Sequence, residues 1–173
     1  MSDQPRIAPL PEGDCPPGVA GVVAALGPLN IFTTLGKNAE LFDAWVGFGG
    51  HLLASKTICP RIRELIILRV AARTGCDYER VHHERIGREN GVTEAEIEAL
   101  GRNLRDYAWD PGEWPVLAAV DELHTTSTIS DGTWARLAGV LDEKAIIEVL
   151  MLIGQYTMLA FALNAMKVQP ESS

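Results

Sequence analysis

No stretch of the 173-residue sequence alternates polar and apolar residues between turn signals with the Val, Ile and Thr enrichment of a strand, so sheet structure is not expected. Cationic excess is lacking too. Fifteen Lys and Arg stand against twenty-three Asp and Glu, a net charge of -8 with a pI near 5.0, which argues against a nucleic-acid footprint and for a small-molecule partner. There is no phosphate loop, because the glycines at Gly47, Gly49 and Gly50 fall inside a helical pattern instead of between a strand and a helix. Cysteine is scarce and odd in number (Cys15, Cys59 and Cys76), and residues Met1 to Arg6 carry no apolar secretory core, so a reducing cytoplasm is the expected setting. The one long apolar run, Ala145 to Met166, is interrupted by Glu148, Gln155 and Asn164, each costly in hydrocarbon; a buried or interfacial helix is expected there, with no membrane span.

What is present is helical. The length suits one domain that buries a core without metal or disulfide staples. Residues 1–19, rich in proline and without an apolar period, read as an extended arm able to wrap a neighbouring subunit; 20–168 read as a single helical domain and 169–173 as a flexible tail. A short helix is expected from Gly18 to Leu26, and Asn38 is placed to cap one over Ala39 to Ala54. Pro60 opens a mostly apolar helix that Gly75 should end, and a further helix then runs to Asn90 and Gly91. Thr93 and Glu96 form a capping-box pattern, Trp114 and Pro115 lead into another helix, and Ser130 and Asp142 are placed to cap the last two. An all-α domain follows. The apolar surface of Ala145 to Met166 exceeds what a monomer of this size hides, which predicts a homo-oligomer.

Acid, thiol and imidazole groups gather after Gly75. On a helix Cys76, Glu79 and His83 stand at i, i+3 and i+7 and share a face. Imidazole as a side-chain type titrates near neutral pH, which singles out His83, and Glu79 one turn earlier is placed to orient it or raise its pKa; a surface histidine or a structural His83–Glu79 pair is the plainer reading. His82 points roughly 100° away around the helix. Cys76 follows the helix break, where the dipole favours thiolate, and a small buried apolar role is equally open. Glu64 lies early in an apolar helix and must be solvated, paired or set in a pocket, with Arg61 and Arg63 near in sequence. Zinc on Cys76, Glu79 and His83 is not expected, since no second His-rich motif accompanies them. Tyr78 reads as a packed tyrosine or a phenolic donor, and the isolated His51 and His124 receive no role.

The pattern of Glu64, then Gly75, Cys76, Tyr78, Glu79 and His83 one helix later, resembles the carboxymuconolactone decarboxylase family, which includes the alkylhydroperoxidases of the AhpD type. The segments from Asp121 and from Gly154 resemble its longer members, so the likeness covers about 38–166. The peroxidase branch carries Glu, Cys-x-x-Cys and His; Glu64, Cys76 and His83 match those places, and Glu79 stands where the second cysteine would be. The resemblance implies an AhpD-like bundle of about six to eight helices, no metal, no cofactor, and a trimer or hexamer, with a dimer as the alternative. It also implies decarboxylation of a small carboxylated lactone or related carbonyl acid, with His83 as proton donor, Glu79 as its partner, and Glu64 and Cys76 lining the pocket. Two alternatives stay open: a thiol peroxidase, which needs the missing cysteine, and a noncatalytic helical binding protein.

Overall fold

The computed structural model describes residues 4–171 and contains, among them, nine α-helices, two single 3-10 turns and no strand. Two compact units are present, one of Met1–Ala54 with Ala162–Ser173 and one of Ser55–Phe161.

The first unit holds α1 (Pro17–Leu26), α2 (Asn30–Leu35) and α3 (Ala39–Ala54). Its core is Val19, Val23 and Phe42, with Phe32 and Trp45 closing an aromatic cluster around Phe42 at centroid separations of 6.3 Å and 5.9 Å. α1 begins at Pro17, inside the stretch expected as an arm, because proline suits a first helical turn whose N–H groups are unpaired anyway. Arg6 N–H donates to Met166 O and Leu10 N–H to Thr33 O, so this stretch is tied to its own chain. Gln169 and Glu171, within the expected tail, accept hydrogen bonds from Asn30. Residues 1–3 of the arm and 172–173 of the tail lie outside the described residues. α2 has no counterpart in the sequence reading, and its six residues bring the helix count above the expected range.

The second unit holds α4 (Pro60–Thr74), α5 (Asp77–Glu89), α6 (Glu94–Leu100), α7 (Trp114–Thr126), α8 (Asp131–Val140) and α9 (Glu143–Met166, as far as Phe161). α4 is its central element and is buried continuously from Glu64 to Ala71. Leu65 and Leu68 pack with Val92, Leu100, Leu104, Trp109 and Leu117, and the indole N–H of Trp109 donates to Leu104 O. The caps fall where the sequence places them. Thr93 and Glu96 complete a capping box, Ser130 Oγ accepts from Thr133 N–H, and Asp142 Oδ1 accepts from Ala145 N–H at 2.8 Å.

Two ionic clamps fix α4 against its neighbours. Arg61 reaches Glu113 Oε1 at 2.8 Å and Glu96, and also donates to Gly91 O. Deeper in, Arg69 forms a two-pronged bond with Asp121 on α7 (2.8 Å and 2.7 Å) and donates to Leu100 O and Arg102 O after α6. The planar guanidinium suits this task, since its five N–H groups serve one carboxylate and two carbonyls at once. α9 is apolar and long enough to cross a membrane, but more than half of its most apolar window is buried within the protein. Ile147, Met151, Met158 and Phe161 form its exposed stripe.

Candidate functional site

α4 ends at Gly75 in the left-handed region (φ 61°, ψ 36°), a conformation that costs a residue with a Cβ considerably more than glycine. The chain then reverses through Cys76, in extended conformation, into α5. This tight reversal lays the first turns of α5 beside α4, so residues far apart in sequence meet.

Glu64, one turn into α4, is fully buried. Its Oε2 lies 2.7 Å from Nδ1 of His83 on α5, and its Oε1 accepts from Arg63 Nε at 2.9 Å. With the carboxylate accepting at both oxygens, Nδ1 is the ring nitrogen that donates its hydrogen to Glu64. Nε2 makes no hydrogen bond within the described residues. The partner of His83 is therefore Glu64. The pairing with Glu79 expected from one-turn spacing does not form, because Glu79 Oε1 and Oε2 are both buried without a hydrogen-bond partner.

Burial pushes the Glu79 carboxyl up to about 8 from its ordinary 4.5. Cys76 is also buried, and desolvation, followed by the Glu79 charge, pushes its thiol up to about 12. Of the two readings open for Cys76, burial favours the small buried residue over the thiolate. A helix dipole contributes about 0.3–1 kcal/mol, whereas desolvating a thiolate costs several-fold more. Tyr156 on α9 stands edge-on to His83, with ring centroids 5.2 Å apart and planes at 87°. Its phenol is raised by burial and then by the charges of Glu64 and Glu79. Sequence reasoning assigned no role to Tyr156 or Arg63. The run from Gly154 drew notice only through the resemblance, and Arg63 only as a neighbour of Glu64 in sequence.

The remaining candidates lie elsewhere. Tyr78 is buried and stacks near His82 (centroids 4.5 Å), consistent with the packed reading. His51 is exposed on α3. His124 is exposed and borders a groove of about 440 Å³ with Leu150, Met158 and Phe161.

Glu79 also leaves a mark on stability. Between pH 4.5 and about 8 the folded protein binds this proton and the unfolded chain releases it, so the contribution is full below pH 4.5 and lost as pH rises through 8. Thermal unfolding of the parent should decline across that window, and Glu79→Gln should flatten the decline; parallel profiles for the two proteins would contradict the assignment.

Residues 39–122 match the carboxymuconolactone decarboxylase family. No curated protein matches the chain. Among solved structures, the debrominase Bmp8 in its apo form superposes with a TM-score of 0.82 at 24% identity, covering 99% of this chain and 95% of that one. A peroxidase-related protein from Ralstonia eutropha JMP134, described as an alkylhydroperoxidase AhpD core, gives 0.82 at 16% identity over 96% and 93%. Another peroxidase-related protein, from Silicibacter sp. TM1040, gives 0.79 at 20% identity over 99% and 91%. At these identities the superpositions speak for the fold, and the matched segment holds Glu64, Cys76, Glu79 and His83. The segment 39–122 is thus similar to the carboxymuconolactone decarboxylase family and sits within an AhpD-like helical fold.

Proposed function

We propose that the protein is a lyase, independent of any cofactor, that decarboxylates a small carboxylated lactone or a related carbonyl acid, with His83 as the proton-transferring group. The observation that carries this reading is the buried Arg63–Glu64–His83 chain, in which one imidazole nitrogen is fixed and the other is left without a partner. Such a chain sets the tautomer and supports the imidazolium when it forms. In the reaction the bond to the carboxylate breaks, carbon dioxide leaves, and the electron pair passes into an enolate of the lactone carbonyl. Protonated His83 then gives its Nε2 proton to carbon and is reprotonated from solvent. Glu64 acts on His83 as its orienting partner, and Cys76, as a neutral thiol, lines the site.

The homo-oligomer is part of the proposal, with copies meeting on the exposed stripe of α9, from Ile147 to Phe161. A trimer or hexamer is favoured, with a dimer as the alternative.

The test is a screen of purified, metal-free protein against carboxylated lactones and related carbonyl acids, followed by carbon dioxide release. A parallel arm supplies organic peroxide and a dithiol donor. Release from at least one lactone acid and no sustained peroxide turnover is the expected result, since Glu79 cannot act as a resolving thiol and Cys76 is held protonated. Peroxide turnover that disappears in Cys76→Ser and passes through an intramolecular disulfide would replace the lyase reading with the peroxidase one.

A further inference from the structure

Glu79 is the one member of the site that neither the His83 relay nor the packing of α5 explains. Its residue is 2% exposed and both carboxyl oxygens are shut off from solvent, yet neither has a hydrogen-bond partner among the described residues. A buried acceptor left unpaired keeps the full penalty of its lost hydration, and native proteins retain few such groups without a reason. Three other carboxylates, Glu64, Glu96 and Asp121, each hold an arginine. No cation acts on Glu79, whose only resolved influence is its own burial.

Its position says what the unpaired oxygens are for. Glu79 lies one turn before His83 on the same face of α5, and its charge is felt both at the Cys76 thiol and at the Tyr156 phenol that stands against the His83 ring. By helix spacing the carboxyl therefore lies on the side of α5 that carries the His83 ring, which Tyr156 meets edge-on. A carboxyl without cation or solvent remains in its neutral form, which offers one O–H donor and one carbonyl acceptor. A second negative charge beside Glu64 is avoided in that form. The lyase reading needs a donor of this kind: when carbon dioxide departs, charge accumulates on the carbonyl oxygen that becomes the enolate oxygen, and a pre-positioned donor in a dry site stabilises that charge with little reorganisation. Carboxylic acids kept neutral by an apolar setting are known to serve as such donors.

We propose that Glu79, as a neutral carboxylic acid, donates a hydrogen bond to the substrate oxygen that becomes the enolate oxygen, so that the site selects compounds whose electron sink is a carbonyl. This rests on the lyase reading for the identity of the reaction. It assigns Glu79 as a catalytic residue in direct contact with substrate and separates its task from that of His83: Glu79 stabilises oxygen and His83 protonates carbon.

The probe is 4-nitrophenol, whose anion presents one oxygen of partial negative charge on a flat conjugated frame and whose absorbance reports ionisation directly. Titrated into the parent, it should bind as the phenolate. Glu79→Gln, which keeps a neutral donor, should weaken binding by less than about 10-fold, and Glu79→Met, which has none, by about 30-fold or more. Because an unpaired polar group is removed, Glu79→Met should also melt about 2–6 °C higher than the parent. Absence of bound phenolate in the parent, binding within 3-fold of the parent in Glu79→Met, or a lower melting temperature for that variant would each overturn the assignment. The last outcome would reveal a structural role for Glu79. Failure of the lyase reading looks different: phenolate binding would still depend on Glu79 while no lactone acid releases carbon dioxide. If the parent does turn over a lactone acid and Glu79→Met keeps its kcat and KM, the donor assignment alone fails.

Discussion

His83→Gln is expected to leave the helical content unchanged and to lower turnover by roughly 10²–10⁴-fold on whichever lactone acid the parent accepts. Glutamine keeps approximate size and an amide to meet Glu64, so the buried carboxylate does not lose its partner outright. What disappears is the imidazole, the group that takes up and gives back a proton. His82→Gln is the control, because that ring lies on another side of α5 and stacks near Tyr78. Glu64→Gln should fall between the two, since the imidazole would keep a hydrogen bond and lose the charge that supports its protonated form. Circular dichroism and turnover measured together on the three variants decide the matter. Equal turnover in His83→Gln and the parent would remove His83 from the chemistry and leave binding as the task of the site.

The largest effect on stability is expected far from His83, at Asp121. Arg69 is 4% exposed, and among the described residues Asp121 is the only carboxylate on its guanidinium. Removing the carboxylate in Asp121→Ala leaves a buried charge with two carbonyl partners, Leu100 O and Arg102 O, and no counter-ion. Breaking a buried pair in this way typically costs about 3–5 kcal/mol. Asp121 is itself partly exposed, so water can reach its vacated place and the lower end, about 3 kcal/mol, is expected. For a protein of this size that corresponds to a melting temperature roughly 6–12 °C lower. Arg73, 3.6 Å from the same carboxylate and half in solvent, should matter far less, with Arg73→Ala costing about 0.5 kcal/mol or under. Thermal unfolding of both variants checks the contrast, and a loss in Asp121→Ala no greater than in Arg73→Ala would show that solvent screens the clamp.

Nearly every helix of the second unit was legible from its punctuation alone. Pro60, Gly75, Thr93 with Glu96, Ser130 and Asp142 each act within three or four residues of themselves, through a missing N–H, a positive φ or a side-chain cap, and local chemistry of that range is written directly in the sequence. The same locality explains the omission of α2. Asn30–Leu35 is too short to show a period and includes adjacent Thr33 and Thr34, and its formation depends on contacts within the first unit, such as Phe32 against Phe42 and Trp45.

Helical periodicity by itself determined that Cys76, Glu79 and His83 share one face, and helix signals with no strand pattern determined the all-α class. Which acid holds the imidazole was decided by tertiary structure: Glu79 is the nearer in sequence, yet the left-handed turn at Gly75 folds α5 back along α4 and brings Glu64 onto Nδ1. The charge states were decided the same way. A helix N-terminus favours a thiolate at Cys76, but burial outweighs the dipole there, and burial also raises the Glu79 carboxyl. Desolvation depends on what surrounds a side chain from every direction, and the sequence records only what precedes and follows it.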